Sequence, residues 1–277
     1  MEFIKYFNQL SEYTTSKDSF VYPTVSYVEE NKEVYYTQKP PIVTYATTGA
    51  SQQIQIVNKQ EYLDYAKIVD TGEELTVTGT GALFYTFENP GEHKVELKFK
   101  DDATTLTSGF ARCYQLTSIP ENLFSNNTAV TDFRYTFEYC IGLTNIPENL
   151  FSNCTAVTDF SWTFSDCSGL TGSIPTNLFS NNTEVTKFYG TFYKCSGLTS
   201  IPENLFSNNK AVTNFSSTFY GCSGLTGTVP VDNDGTPIYN RSGEGKEGYS
   251  IVRSYDTCFY NCTGLTDYDS IPSSWKS

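Results

Sequence analysis

Histidine and methionine each occur once in the 277 residues, and tryptophan twice. With His93 alone, any Ser-His-Asp or Cys-His mechanism would rest on one residue in a strand-like segment. No His/Cys cluster has zinc spacing, and no glycine-rich phosphate loop follows a strand. Positive charge is also short: 18 Lys and Arg stand against 31 Asp and Glu, a formal net charge of -13. Such a surface repels polyanions and anionic headgroups, so neither nucleic acid nor membrane attachment is expected. No run approaches the ~18–20 apolar residues of a membrane span, so insertion is not expected either. The opening MEFIKYFNQLSEYTTSKDSF has no apolar core and no small-residue cleavage site, and does not read as a secretory signal. The chain is therefore expected to be no enzyme and to carry no cofactor or metal.

Aromatic residues are abundant, with 21 Tyr and 20 Phe. They recur within a sentence of about 27 residues, best seen in CYQLTSIPENLFSNNTAVTDFRYTF and CIGLTNIPENLFSNCTAVTDFSWTF. A period of this length predicts a stacked solenoid, each unit burying its apolar face against its neighbours. The columns hold throughout: Leu116, Leu143, Leu170, Leu198, Leu225 and Leu265; Phe137, Phe164, Phe192, Phe219 and Phe259; Val130, Val157, Val185, Val212 and Val252. Cys113, Cys140, Cys167, Cys195, Cys222 and Cys262 form another, read as buried free thiols. Neighbouring coils come close enough for disulfides, but parallel side-chain vectors make bridge geometry poor. Cys154 replaces an Asn in a turn, and Cys258 a Thr beside a strand.

Three segments are expected. Residues 1–41 form an arm and linker in which Val25, Tyr27, Val34 and Tyr36 either make two strands around a Glu-Asn-Lys turn or stay flexible. The linker is Gln38-Lys39-Pro40-Pro41. Residues 42–102 form a small all-β domain, with strands at Ile54–Val57, Leu83–Phe87 and Val95–Phe99 and either a turn or a short helix at 58–66. Such a sheet could cover the first coil of the solenoid. Residues 103–277 carry about six coils, interrupted by an insertion at 231–250 with a hairpin turn at Asp234-Gly235 and a mobile loop at SGEGKEG. Asp232-Asn233-Asp234-Gly235 partly echoes a calcium loop but lacks its downstream Glu, so it reads as a turn. The Asn-x-Ser/Thr sequons at Asn126, Asn153 and Asn181 fall in one column, where Asn satisfies turn backbone. Glu121, Glu148 and Glu203 also recur in register, which fits helix-start charge better than a catalytic pair. Trp275 is placed to cover the last apolar face.

VTDFRYTFEYCIGLTNIP resembles the VTDM-x-x-MF-x-x-C-x-x-L core of BspA-like leucine-rich-repeat surface proteins, over roughly residues 104–277. IPENLF is similar to the LP-x-x-LF of extracellular leucine-rich repeats, and YTFENPGEHKVELKF to the last hairpin of PKD-like and immunoglobulin-like modules. The fold expected is thus an α/β repeat solenoid of leucine-rich-repeat type, with a short strand and a helical or 3₁₀ turn per coil, Pro suiting the helix start. The resemblance implies a surface-displayed adhesion protein and no enzyme.

Function is sought in the positions that do not repeat. Arg134-Tyr135, Ser161-Trp162 and Tyr189-Gly190 fill one variable pair, and Glu138-Tyr139, Ser165-Asp166 and Tyr193-Lys194 another. Rigid aromatics among small polar residues resemble a paratope. Tyr135, Trp162, Tyr189, Tyr193, Tyr220 and Tyr260 are the candidate ligand-binding residues, though Tyr is also favoured on any exposed strand. The function expected is non-catalytic recognition of a protein or glycan on a cell surface or matrix, from a cell-surface or extracellular location. The alternative is a virion or tail-associated receptor-binding component, its N-terminal arm docking into a larger assembly by strand addition. A carbohydrate-active enzyme using unmatched carboxylates is the third reading.

Overall fold

The computed structural model describes residues 24–27, 34–37, 40–241 and 247–277. The chain divides into two compact units, Met1–Pro40 and Pro41–Ser277. In the first, β1 (Thr24–Tyr27) and β2 (Val34–Thr37) pair antiparallel, Thr24 opposite Thr37 and Tyr27 opposite Val34. The expected Glu-Asn-Lys turn, the linker residues Gln38 and Lys39, and most of the SGEGKEG loop lie outside the described residues.

The second unit opens with two antiparallel sheets. β3 (Ile42–Thr47), β5 (Leu63–Ile68), β6 (Glu74–Leu75), β8 (Gly91–Phe99) and β9 (Leu116–Ser118) form a sheet in the order β6-β5-β8-β3-β9. β4 (Gln52–Val57) and β7 (Leu83–Phe87) form the other. Alternation places Val43, Tyr45, Val95, Leu97 and Phe99 inside, as period two requires. The Leu83–Phe99 segment is not the expected hairpin, however. β7 pairs with β4 and β8 with β3 and β5, so the Asn89–Glu92 turn carries the chain between sheets. β9 belongs to the first repeat yet completes the larger sheet, Tyr45 facing Leu116.

The expected α/β leucine-rich-repeat solenoid is overturned. Among the described residues regular secondary structure is mainly β, most of it in these antiparallel sheets, with three short 3₁₀ turns, and no repeat contains an α-helix. The one α-helix among the described residues, α1, is Ser273–Lys276, after the last repeat. At Pro120–Asn127 successive four-residue turns replace a helix: Leu123 N–H bonds Pro120 O at 3.2 Å and Ser125 N–H bonds Asn122 O at 3.2 Å. Glu121 therefore starts no helix; its carboxylate accepts from Asn149 of the next repeat, as Glu148 does from Asn177 at 3.0 Å.

The expected strand is also broken, for a backbone reason. Tyr135, Trp162, Gly190, Ser217 and Thr257 share one left-handed column, and Arg112, Tyr139, Asp166, Lys194, Gly221 and Asn261 a second, with φ from 55° to 72°. Each closes a turn whose third residue has positive φ, such as Thr136 N–H to Phe133 O at 3.2 Å and Cys140 N–H to Phe137 O at 3.0 Å. Phe133 and Phe137, four residues apart, both reach the core. A pleated strand that buried both would also bury Tyr135 midway between them, and Tyr135 instead lines the outer edge.

Successive repeats meet through one-way ladders. Phe133, Tyr135, Phe137 and Tyr139 N–H groups donate forward to Asp159, Ser161, Thr163 and Ser165 carbonyls at 2.8–3.1 Å. A threonine column donates backward: Thr158 N–H to Thr131 O and Thr186 N–H to Thr158 O, both 2.9 Å. Parallel single-residue bridges link Thr105, Asp132, Asp159, Lys187, Asn214 and Ser254 in sequence. Inside, three phenylalanine columns stack; in one, Phe110, Phe137, Phe164, Phe192, Phe219 and Phe259 follow at 5.3–5.7 Å between centroids.

A one-way ladder leaves carbonyls bare at its start and N–H groups bare at its end, and each end has the complementary partner. At the start, Asn58 N–H donates to Gly109 O at 2.7 Å, and Gln55 Nε2 to Ala111 O at 2.8 Å. At the end, Phe259 N–H donates to Trp275 O at 2.9 Å and Thr257 N–H to Ser277 O at 3.3 Å. Trp275 is fully buried, stacked on Tyr255 at 5.0 Å.

All eight cysteines are free and buried. The ladder thiols are more than space fillers. Cys140, Cys167, Cys195, Cys222 and Cys262 donate S–H to the phenylalanine carbonyl of the preceding repeat at 2.9–3.1 Å. Burial pushes Cys113, Cys154 and Cys262 up to about 12. None should react with a thiol reagent at neutral pH while the chain is folded, whereas all eight should titrate in denaturant; rapid native labelling would show the repeats opening.

Candidate functional site

The left-handed columns put their side chains on the outer edge of the repeats. A non-glycine residue there costs about 1–2 kcal/mol. The cost recurs in every copy because the flanking N–H and C=O groups are held in the ladder. Side chains at these positions therefore project from a backbone with little freedom to adapt.

Across the second, third and fourth copies Tyr135, Tyr139, Trp162, Asp166 and Lys194 of these columns, with their variable neighbours, surround an open depression of about 460 Å³. Four of the six candidate residues line it: Tyr135, Trp162, Tyr189 and Tyr193. Trp162 is the centre. Its indole is parallel to Tyr135 at 6.4 Å between centroids and meets Tyr189 and Tyr193 edge-on at 4.7 and 5.2 Å. The other two candidates lie beyond the depression: Tyr220 stacks on Tyr193 at 4.7 Å, and Tyr260 on Tyr220 at 4.6 Å. The six rings thus make one continuous row.

Sequence reasoning missed the rest of the lining. Glu138, Tyr139, Ser165, Asp166 and Lys194 also face the depression, and all stand at positions where the copies differ. Choosing only aromatics left out the charges between them. Asp166 accepts from Ser165 Oγ at 2.8 Å. Lys194 Nζ lies 5.1 Å from the Tyr193 centroid, and Arg112 5.8 Å from that of Tyr139. Burial raises the Glu138 carboxyl above its usual range; Arg112 opposes this and Asp166 adds to it. Lys194 is raised by Tyr193 and then Asp166.

Gly190 was also missed. In the Trp162 column it is the one glycine, and a Cβ there would lie 2.5, 2.7 and 2.8 Å from three atoms of the indole's six-membered ring. The face of Trp162 rests on bare backbone. Gly190→Ala should lift the indole, raising acrylamide quenching of Trp162 fluorescence while costing only about 1–2 kcal/mol of stability. Trp275, the other indole, is fully buried and gives a constant background. Unchanged quenching would mean that Trp162 does not lie on Gly190.

His93 does not line the depression. Its ring is buried in β8, bonded to Thr47 Oγ1 at 2.9 Å and Asn89 O at 3.1 Å, and stacked on Phe87 at 3.8 Å. Among the described residues no three metal-ligating side chains cluster. Asp232, in the partial calcium echo, is ion-paired to buried Arg241, and Gly235 closes the turn at φ 80°. No helix among the described residues is long and apolar enough to cross a membrane. Comparison with family models, with curated proteins and with solved structures found no match to this chain.

Proposed function

We propose that this chain is a non-catalytic recognition protein that binds a protein or glycan through the aromatic edge of its repeats. One observation carries the reading. Over Tyr135 to Tyr260 the internal columns stay constant while the outer ones vary, and the variation assembles a continuous row of rings around a depression. Packing needs do not account for half-exposed aromatics on an outer edge, whereas recognition uses rigid aromatics set on a rigid frame. The engagement of His93 with Thr47, Asn89 and Phe87 supports the non-catalytic part.

Trp162→Ala and Tyr193→Ala should each lower affinity at least tenfold for whatever a combined glycan and protein array identifies. Both should leave the melting temperature within a few degrees of the parent, because neither ring belongs to the phenylalanine core. Loss of folding in both variants would assign the rings to packing and overturn the proposal.

A further inference from the structure

We propose that the depression around Trp162 takes an uncharged glycan, one sugar ring lying against the aromatic cluster and its hydroxyls held by Glu138, Asp166 and Lys194. This rests on the recognition reading above and commits it to one of its two ligand classes.

Charge placement is the first argument. Protein interfaces are depleted of charge at their centre and carry it on the rim. Here Glu138, Asp166 and Lys194 share one lining with Trp162, Tyr189 and Tyr193, with no charge-free patch between them. A protein partner would have to desolvate them and match each with a charge of its own. A polyhydroxyl ligand suits them, since each hydroxyl both donates to a carboxylate and accepts from an ammonium.

Charge balance is the second. The chain carries a net charge of -13, but locally Glu138 and Asp166 face Lys194 and the neighbouring Arg112. Lys194 and Arg112 already lie over Tyr193 and Tyr139, so the protein's own cations take the place a cationic ligand would seek. An anionic glycan would meet the two carboxylates, one with its charge already disfavoured by burial. A neutral ligand leaves this balance undisturbed.

Ring geometry is the third. Tyr220 and Tyr260 spend their faces on one another and on Tyr193, at 13–15° and 4.6–4.7 Å. Trp162 is held differently, with Gly190 beneath it, Tyr135 parallel at the wider spacing of 6.4 Å, and Tyr189 and Tyr193 meeting it edge-on. It is the platform of the cluster. The C–H face of a pyranose is apolar and its rim polar, as are this indole and its surround. A depression of about 460 Å³ is on the scale of a small-molecule site and has room for one or two such rings.

The test is acrylamide quenching of Trp162 in the full chain, with calorimetry in parallel. The probes are soluble β-1,4-glucan, α-1,4-glucan, β-1,4-N-acetylglucosamine and mannan oligosaccharides, against polygalacturonate, heparin and choline. At least one neutral oligosaccharide should protect Trp162 at millimolar concentration. Trp162→Ala should then weaken binding at least tenfold, and Glu138→Gln and Asp166→Asn should weaken it by a smaller factor. Protection by none of the neutral probes overturns the inference, as does stronger protection by polygalacturonate, heparin or choline. The recognition reading fails separately: it survives if a purified protein from the array binds and loses affinity in Trp162→Ala and Tyr193→Ala, and falls if both variants keep full binding. Release of new reducing ends, lost in Glu138→Gln, would make the site catalytic and overturn it as a binding module.

Discussion

Gly169→Ala should destabilise the chain by about 3 kcal/mol or more, while Gln115→Ala, at the same place in the first copy, should change stability by less than about 0.5 kcal/mol. A Cβ on Gly169 would lie 2.3 Å from the Ile141 carbonyl oxygen and 2.9 Å from that of Leu143. The obstacle is backbone of the preceding repeat, held there by the ladder on one side and the phenylalanine columns on the other. It cannot swing aside as a side chain would. Gly142, Gly197, Gly224 and Gly264 meet the same obstruction, at 2.4–2.6 Å. In the first copy no earlier repeat crosses this point, and Gln115 occupies it, its carbonyl accepting from Ala46 N–H of β3. Gly→Ala at an unobstructed position ordinarily stabilises by about 0.4–1 kcal/mol through the unfolded state, so the effect at Gly169 reverses sign. Urea denaturation of the two variants measures the contrast. A Gly169→Ala chain as stable as the parent would mean that the repeats are not as closely spaced as described.

That glycine column was readable in the sequence and passed over. Cys-x-Gly-Leu recurs in every later copy and only the first differs, as an end unit should. The apolar columns were legible because burial repeats faithfully: Phe137, Phe164, Phe192 and Phe219 are all inside. What the columns did not reveal is the backbone between them. Two core phenylalanines four residues apart fit a helix, a strand or a string of turns equally well. Here left-handed Tyr135 and Tyr139 decide for turns, and L-residues other than glycine carry little signal for that conformation. The α/β expectation failed on the same point, since proline followed by Glu-Asn marks a turn start as readily as a helix start. The β7–β8 hairpin failed because a tight turn says that the chain reverses, not that the two arms pair. At the candidate site the variable columns were legible and their joint geometry was not. Tyr135 and Trp162 occupy one column in sequence, yet only Trp162 has a glycine beneath it.

Arg241→Met and Asp232→Asn should each cost about 3–5 kcal/mol, and the double variant clearly less than their sum. Both side chains are essentially inaccessible to solvent and are ion-paired to each other. The guanidinium also donates from Nη2 to Phe206 O at 2.9 Å and from Nη1 to Asn209 O at 3.3 Å. It lies 4.3 Å from the Tyr249 centroid. Arg241 therefore joins the 231–250 insertion to the turn of the preceding repeat, whose carbonyls have no forward neighbour because the insertion displaces the next copy. Removing Arg241 leaves a buried carboxylate and two carbonyls without these donors. Removing the Asp232 charge leaves a buried cation. Replacing both removes the charge problem but not the carbonyl problem, so the double variant should recover part of the loss and not all of it. Chemical denaturation gives the cycle directly. Limited proteolysis adds a local readout: cleavage should rise within 231–250 in the single variants before the remaining repeats open. Strict additivity in the cycle would mean that the two residues act independently, and would remove the pair as the anchor of the insertion.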